Sequence, residues 1–317
     1  MIAIDVSGGL GNQFFRYAFA RNLYKLRGGE KLIFNTRDVD YHGFSGDIND
    51  FNVLPHTCKA HGNVIMNNGS LIQKSCFIIY HVIKRVSRGK AENCRLIKNL
   101  LFRSGIIIAN DPKEIVKNCM AKNVLATGSF ENVGYFLGIK DILQKEFEPI
   151  HAPLQSNQHI YEMIKTRNTV CLAVRRGDFM SEENKGVFYV CDIEYYKMAI
   201  QYIKSHVVNP FFIVFSNDIE WVKANIELGN EAIYESGKDP VWETFRLMKS
   251  CKHFIISNST LHWWAQYLCD NPNKIVVAPD RWYNPFSWNE HLMLDYFIRI
   301  KTGVENPYMK LLQNENE

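Results

Sequence analysis

The chain is 317 residues long, 46% hydrophobic and 22% charged, which is enough apolar material for two globular domains with cores of their own. Its formal net charge of +4 comes with no clear basic stripe, so no nucleic-acid partner is expected. The longest apolar stretch, CFIIYHVI at 76–83, is too short to cross a bilayer, and nothing like a signal peptide precedes the first strand; the expected location is cytoplasmic, free or peripheral at the inner face of the membrane.

Short apolar runs rich in β-branched residues recur along the chain, each followed by a turn and a helix-like segment. They are MIAIDV at 1–6, KLIFNT at 31–36, GIIIAN at 105–110 and NVLATGSF at 123–130, then TVCLAV at 169–174, FFIVFS at 211–216, HFIISN at 253–258 and KIVVAP at 274–279. Continuous rather than alternating runs fit strands covered on both faces, and strands alternating with helices make an α/β protein with parallel sheets. The series pauses between about 140 and 168, where a helix, a proline-containing linker and another helix are predicted. A domain boundary is therefore placed near residue 150, with an N-terminal domain over 1–150 and a C-terminal domain over 151–317. Ligands of such sheets lie at the carboxyl ends of the strands. The eight cysteines include no C-x-x-C pair, so metal-knuckle spacing is absent, and they read as reduced, mostly structural thiols.

The first strand runs into SGGLGNQFFRYAFA, residues 7–20. Gly8, Gly9 and Gly11 permit a tight turn with positive φ and close approach of a ligand to the backbone. Asn12 and Gln13 open the helix that follows, and their paired carboxamides suit a polar ligand. The spacing matches neither a P-loop nor the dinucleotide fingerprint, since position 14 is Phe. Further on, residues 84–103 hold seven Lys or Arg against one Glu, a local charge of +6, with leucines interleaved. A solvated helix face and an anionic membrane contact both fit that pattern.

The run TVCLAVRRGDF, 169–179, sets Arg175 and Arg176 side by side where a buried strand ends. Two guanidinium groups there are costly without an anion, and their planar forks suit phosphate oxygens. Neighbours on an extended strand point to opposite faces, so one arginine contacts a ligand and the other braces the loop. FFIVFSNDIEW places Ser216, Asn217 and Asp218 after the next strand, with Asp218 as a helix cap or a ligand contact. HFIISNSTLHWW places Ser257, Asn258, Ser259 and Thr260 at a helix N-terminus, a natural seat for phosphate. Trp263 and Trp264 read as core.

Taken together, GGLGNQ at 8–13, RRGD at 175–178, FSNDIEW at 215–221 and LMKSCKHFIISNSTLHWW at 247–264 resemble the α-1,2-fucosyltransferases, glycosyltransferase family 11. GSFENVGYF at 128–136 looks like a further element of that family, and the matches keep their order from Ile2 to about Trp282. The resemblance implies a GT-B fold with two Rossmann-like domains facing a cleft. It implies a GDP-β-L-fucose donor, held mainly by the C-terminal half, and inverting transfer to the 2-hydroxyl of a β-galactoside, such as a lipid-linked precursor of a bacterial surface glycan. It implies no metal and no other cofactor. One departure is Ala173, where the family has His; another is Asn217 in place of an acid.

On this reading Arg175 stabilises the leaving phosphate. Asp178 is the leading candidate for the base, with Glu182 and Glu183 behind it, or else Asp178 orients Arg175. Glu243 is a candidate partner for the guanine base, or a favourable first-turn acid. The donor-side set is therefore Gly9, Gly11, Asn12, Gln13, Arg175, Arg176, Ser216, Asp218, Glu243, Ser257, Asn258, Ser259 and Thr260. Two rivals remain: a related enzyme using another nucleotide sugar, and a non-catalytic nucleotide- or sugar-binding protein.

Overall fold

The computed structural model describes residues 1–42, 46–59, 63–86, 95–108, 121–284 and 290–302. The chain divides into two units, Met1–Phe147 and Glu148–Glu317. Each is built on one parallel sheet, so the expected α/β class with two Rossmann-like units is observed.

In unit 1 the strands are β1 (Ile2–Asp5), β2 (Leu32–Asn35), β3 (Thr57–Lys59), β4 (Ile106–Ile108) and β5 (Val124–Thr127), ordered β3-β2-β1-β5-β4. Helix α1 (Leu10–Leu26) buries Phe14, Phe15, Tyr17 and Phe19, which is why so aromatic a segment follows the first strand. Phe14 stacks on Phe147 at 4.0 Å and Phe19 on Phe130 at 4.1 Å. Glu146 is held inside by the Tyr17 hydroxyl at 2.6 Å and by Arg21 Nε at 2.8 Å. The shorter helices of this unit are α2 (Arg37–His42), α3 (Val64–Asn68), α4 (Leu71–Val86), α5 (Arg95–Ser104) and α6 (Lys140–Glu146).

In unit 2 the strands are β6 (Asn168–Val174), β7 (Pro210–Ser216), β8 (Ala232–Tyr234), β9 (His253–Ile255), β10 (Val276–Pro279) and β11 (Ile298–Ile300), ordered β11-β10-β9-β6-β7-β8. The helices are α7 (Gln158–Thr166), α8 (Lys185–Phe188), α9 (Ile193–His206), α10 (Ile219–Asn225), α11 (Val241–Ser250) and α12 (Thr260–Leu268). β6 and β7 pair over seven residues, from Asn168 with Pro210 to Val174 with Ser216. Their inner face packs Leu172, Val174, Phe212 and Val214 against Tyr195, Tyr196, Ala199 and Ile203 of α9. Trp263 and Trp264 are fully buried, as core.

All eight sequence-predicted runs contain strands. The three strands without a predicted run, β3, β8 and β11, are three residues long and lie at sheet edges. These three are exposed or only partly buried, whereas β4, an edge strand just as short, buries Ile106 and Ile107 and carries a continuous apolar run.

Candidate active site

From β6 the chain steps to β7 and β8 on one side, then crosses back to β9 and continues outward through β10 and β11. The crossover direction therefore reverses beside β6, and every strand is parallel, so the loops after β6, β7 and β9 emerge along one edge.

The two arginines at the end of β6 do different things. The guanidinium of Arg176 lies 3.8 Å from the centre of the Trp221 ring, and its Nε approaches Asp218 Oδ2 at 3.4 Å. Its backbone N–H donates to Asn217 Oδ1 at 2.9 Å. Arg176 thus clasps the β6 loop to the start of α10. Gly177 completes the clasp: a Cβ there would sit 2.1 Å from Asn217 Nδ2, so any larger residue would push the Asn217 side chain out of its place. The Arg175 side chain stays 38% exposed and pairs with Asp178 Oδ1 at 2.7 Å. Glu182 and Glu183 are exposed in the turn beyond.

The loop after β7 gives Asp218 two internal tasks. Its Oδ1 accepts from Trp221 N at 3.2 Å, capping α10, while Oδ2 meets Arg176. Its own N–H donates to Ser216 Oγ at 2.9 Å. Ser216 and Asp218 nevertheless line an open cavity of about 580 Å³, together with Tyr234, Glu235, Ser236, Gly237 and Lys238. Glu235, which the sequence did not single out, is buried in this wall; its Oε2 accepts from Gly237 N, and burial raises its pKa.

The β9–α12 turn corrects part of the phosphate-seat expectation. Asn258 donates both amide hydrogens inward, to Phe188 O and Trp282 O at 2.9 Å each. Ser257 is buried, with its Oγ 2.9 Å from His262 Nδ1. Neither side chain therefore presents a donor to the outside. Ser259 and Thr260 are half-buried, and Ser259 caps α12 without a side-chain hydrogen bond. The first-turn amides of α12, which are not met by a cap side chain, stand at the end of the strand next to β6. His262 is a second residue missed from sequence, because it sits inside a run that reads as core. Burial, and then the neighbouring charge of Arg175, push its pKa down to about 3, so it is neutral.

Glu243 is not available to a base ligand. It is fully buried, and its Oε1 accepts from Leu154 N, Asn157 Nδ2 and the Tyr161 hydroxyl at 3.1, 3.2 and 2.9 Å. Its Oε2 pairs with Arg246 at 2.9 Å. The acid at the start of α11 ties that helix to the segment entering unit 2.

In unit 1, of the three glycines only Gly8 takes positive φ, at +78°, where a Cβ would run into Asn12 at 2.5 Å. Gly9 caps α1 in extended geometry and Gly11 is buried within its first turn. Gln13 is also committed inward: it donates to Gly8 O and Gly46 O at 3.1 and 3.0 Å and accepts from Ile48 N at 3.1 Å. It shapes the loop and has no donor left for a ligand. Asn12 Oδ1 and Arg16 Nε are buried without a hydrogen-bond partner among the described residues. Arg16 is held below the first turn by its bond to Asn12 O, and burial lowers its pKa despite Glu131, Asp38 and Asp5 nearby.

Among the described residues, no three His, Cys, Asp or Glu gather as metal ligands, and no helix is long and apolar enough to cross a membrane. The cysteines among them, at 58, 76, 171, 191, 251 and 269, are free thiols.

The parallel sheet sets an arginine fork and an uncapped helix N-terminus along one strand edge, an arrangement suited to an anionic ligand. The chain belongs to glycosyl transferase family 11, whose family model matches residues 1–295. It is 26% identical over 304 residues to an alpha-1,2-colitosyltransferase of Escherichia coli, covering 89% of this chain and 92% of that one. It is 28% identical over 295 residues to the O-antigen biosynthesis glycosyltransferase WbnK of E. coli, covering 88% and 93%. A shorter match to human galactoside alpha-(1,2)-fucosyltransferase 1 is 34% identical over 110 residues, 33% of this chain and 30% of that one.

Proposed function

We propose that the chain transfers L-fucose from GDP-β-L-fucose, with inversion, to the 2-hydroxyl of a terminal β-galactose in a bacterial surface glycan of the O-antigen type. The observation that carries this reading is Arg175, half-exposed at the end of the central strand and beside the open N-terminus of α12. As the bond from the anomeric carbon to the β-phosphate oxygen breaks, its electron pair passes to the phosphate. Arg175 and the α12 amides meet that charge. No metal ion is required on this account. The galactose oxygen forms the new bond from the opposite face and gives its proton to a carboxylate or to water. Asp178, already paired with Arg175, orients the fork; Glu182 and Glu183 are the exposed carboxylates nearby in sequence. The cavity beside Ser216 and Lys238 offers room for the nucleoside. The 1,2-linkage is supported by the names of the colitosyl and fucosyl relatives.

A second reading keeps the site and changes the sugar. Colitose is L-fucose without its 3-hydroxyl, and a relative matched over most of the chain transfers colitose. The test is turnover with GDP-fucose, GDP-colitose and other nucleotide sugars on a panel of β-galactosides, with the linkage assigned by NMR. An α-1,2-fucosyl product supports the first reading; product from GDP-colitose alone supports the second; no donor turnover sinks both. The same assay in excess EDTA should keep full activity, and loss of activity restored by magnesium or manganese overturns the metal-free account.

A further inference from the structure

Helix α4 is apolar on two opposite sides. Its inward side, with Cys76, Phe77 and Tyr80, packs on Ile65, Leu101 and Ile106 in the core of unit 1. At the helical repeat, a second stripe falls opposite that one and points away from it. This stripe contains Leu71 and Ile72, then Ile78, Ile79, Val82 and Val86, and every one of these side chains is at least half exposed. Leu96 and Leu100 of α5, the helix packed beside α4, are 79% and 54% exposed and extend the surface. A helix that is apolar all round belongs in a buried place. Clustered exposed aliphatics of this size mark a contact surface rather than ordinary solvent exposure.

Charge selects the occupant. Over 71–86 and 95–104 the sequence has six Lys or Arg and no Asp or Glu. Arg85 and Arg103 are exposed. A second copy docking through this face would bring like charges together. An anionic lipid surface takes both features: the aliphatics enter the headgroup boundary and the cations meet the phosphates.

We propose that the outward faces of α4 and α5 dock unit 1 on an anionic lipid bilayer. The apolar contact then comes from α4, ahead of most of the basic run at 84–103. Residues 87–94 of that run lie outside the described residues. The proposal does not depend on which sugar is transferred, so its failure and the failure of that reading are separate results.

The test is flotation of the full chain with vesicles of phosphatidylcholine alone or mixed with phosphatidylglycerol. The chain should float with the mixed vesicles only, and high salt should release it. Ile79→Glu with Val82→Glu should lower the bound fraction about tenfold or more, because two aliphatics leave the boundary as charges. Arg85→Gln with Arg103→Gln should lower it about tenfold and flatten the salt dependence. These positions are exposed, so melting curves should match the wild type. If the wild type stays down with mixed vesicles, or floats equally with neutral ones, the proposal is overturned. It is equally overturned if sedimentation shows a dimer that Ile79→Glu with Val82→Glu dissolves while no vesicle binding occurs.

Discussion

Two strand-to-helix turns, Gly8–Gln13 in unit 1 and Ser257–Thr260 in unit 2, look alike in sequence and end differently. Both carry small or polar residues with carboxamides among them, and both turn one carboxamide inward. Gln13 fastens its own loop to Gly46 and Ile48, and Asn258 fastens its loop to Phe188 and Trp282. The difference is the nearest arginine. Arg16 is buried under the first turn, whereas Arg175 rises half-exposed from the neighbouring strand beside the second. A polar residue at a strand end is therefore a weak sign of ligand contact. What matters is the bonding capacity left after the loop has been held in shape.

Glu243 offers the largest test of that rule. Its four partners already occupy it, so Glu243→Gln should act on stability and not on the donor. The substitution sets an amide N–H against donors and leaves buried Arg246 without its carboxylate, a loss of about 3–5 kcal/mol. Denaturant unfolding should show it, with donor affinity of the remaining folded enzyme near wild type. An unchanged melting curve together with lost donor binding would return Glu243 to the site.

Arg175 and Arg176 carry the next largest contrast. Lysine lacks the guanidinium fork, so Arg175→Lys should keep the fold and lower kcat about a hundredfold or more, the scale for removing one preorganised charge stabiliser. Arg176→Lys should cost less in kcat, because that side chain stacks on Trp221 and clasps loops. A small loss in Arg175→Lys with a wild-type melting curve breaks the assignment, and a larger loss in Arg176→Lys reverses it.

The sequence makes the long central strands legible, because β6 and β7 each run seven residues through a core covered on both sides. It conceals β8 and β11, three-residue edge strands that are only partly buried. The arginine pair is legible for a related reason: charge at the end of an apolar run is conspicuous in one dimension. The fates of Gln13, Asn258 and Glu243 are not, because each has a partner far along the chain: 33 residues from Gln13 to Gly46, 70 from Asn258 to Phe188 and 89 from Glu243 to Leu154. His262 is hidden by its neighbours; only the fold brings it against Ser257 and near Arg175.

His262 gives a pH test of intermediate size. Its folded pKa, about 3, lies below the ordinary 6.5, so the unfolded chain binds a proton that the folded chain refuses. Its contribution is fully present above about pH 6.5 and declines as pH falls towards 3, at about 1.4 kcal/mol per unit. His262→Gln removes that proton. The variant's unfolding free energy should fall less steeply between pH 6 and 4 than the wild type's, by up to about one proton. Equal slopes would mean that the imidazole is not buried as a neutral group, and the turn would then be more open than the one in unit 1.

Ser259→Ala is the smallest expected effect and sharpens the comparison most finely. Ser259 is the polar residue of its turn whose side chain makes no cap bond, while Asn258 beside it is fully engaged. Removing an unengaged hydroxyl should leave stability within about 0.5 kcal/mol, as for a substitution away from a buried network. A hydroxyl that reaches a phosphate contributes one hydrogen bond to a charged group, about 1.5–3 kcal/mol when dry and less at this half-buried position. Turnover should therefore fall several-fold, well short of the loss in Arg175→Lys, and the deficit should grow when Arg175 is intact, because the two donors act on one charge. A double variant whose loss equals the product of the single losses would show that the α12 N-terminus and Arg175 do not share a ligand. In that case the second turn, like the first, would serve only to hold its own loop.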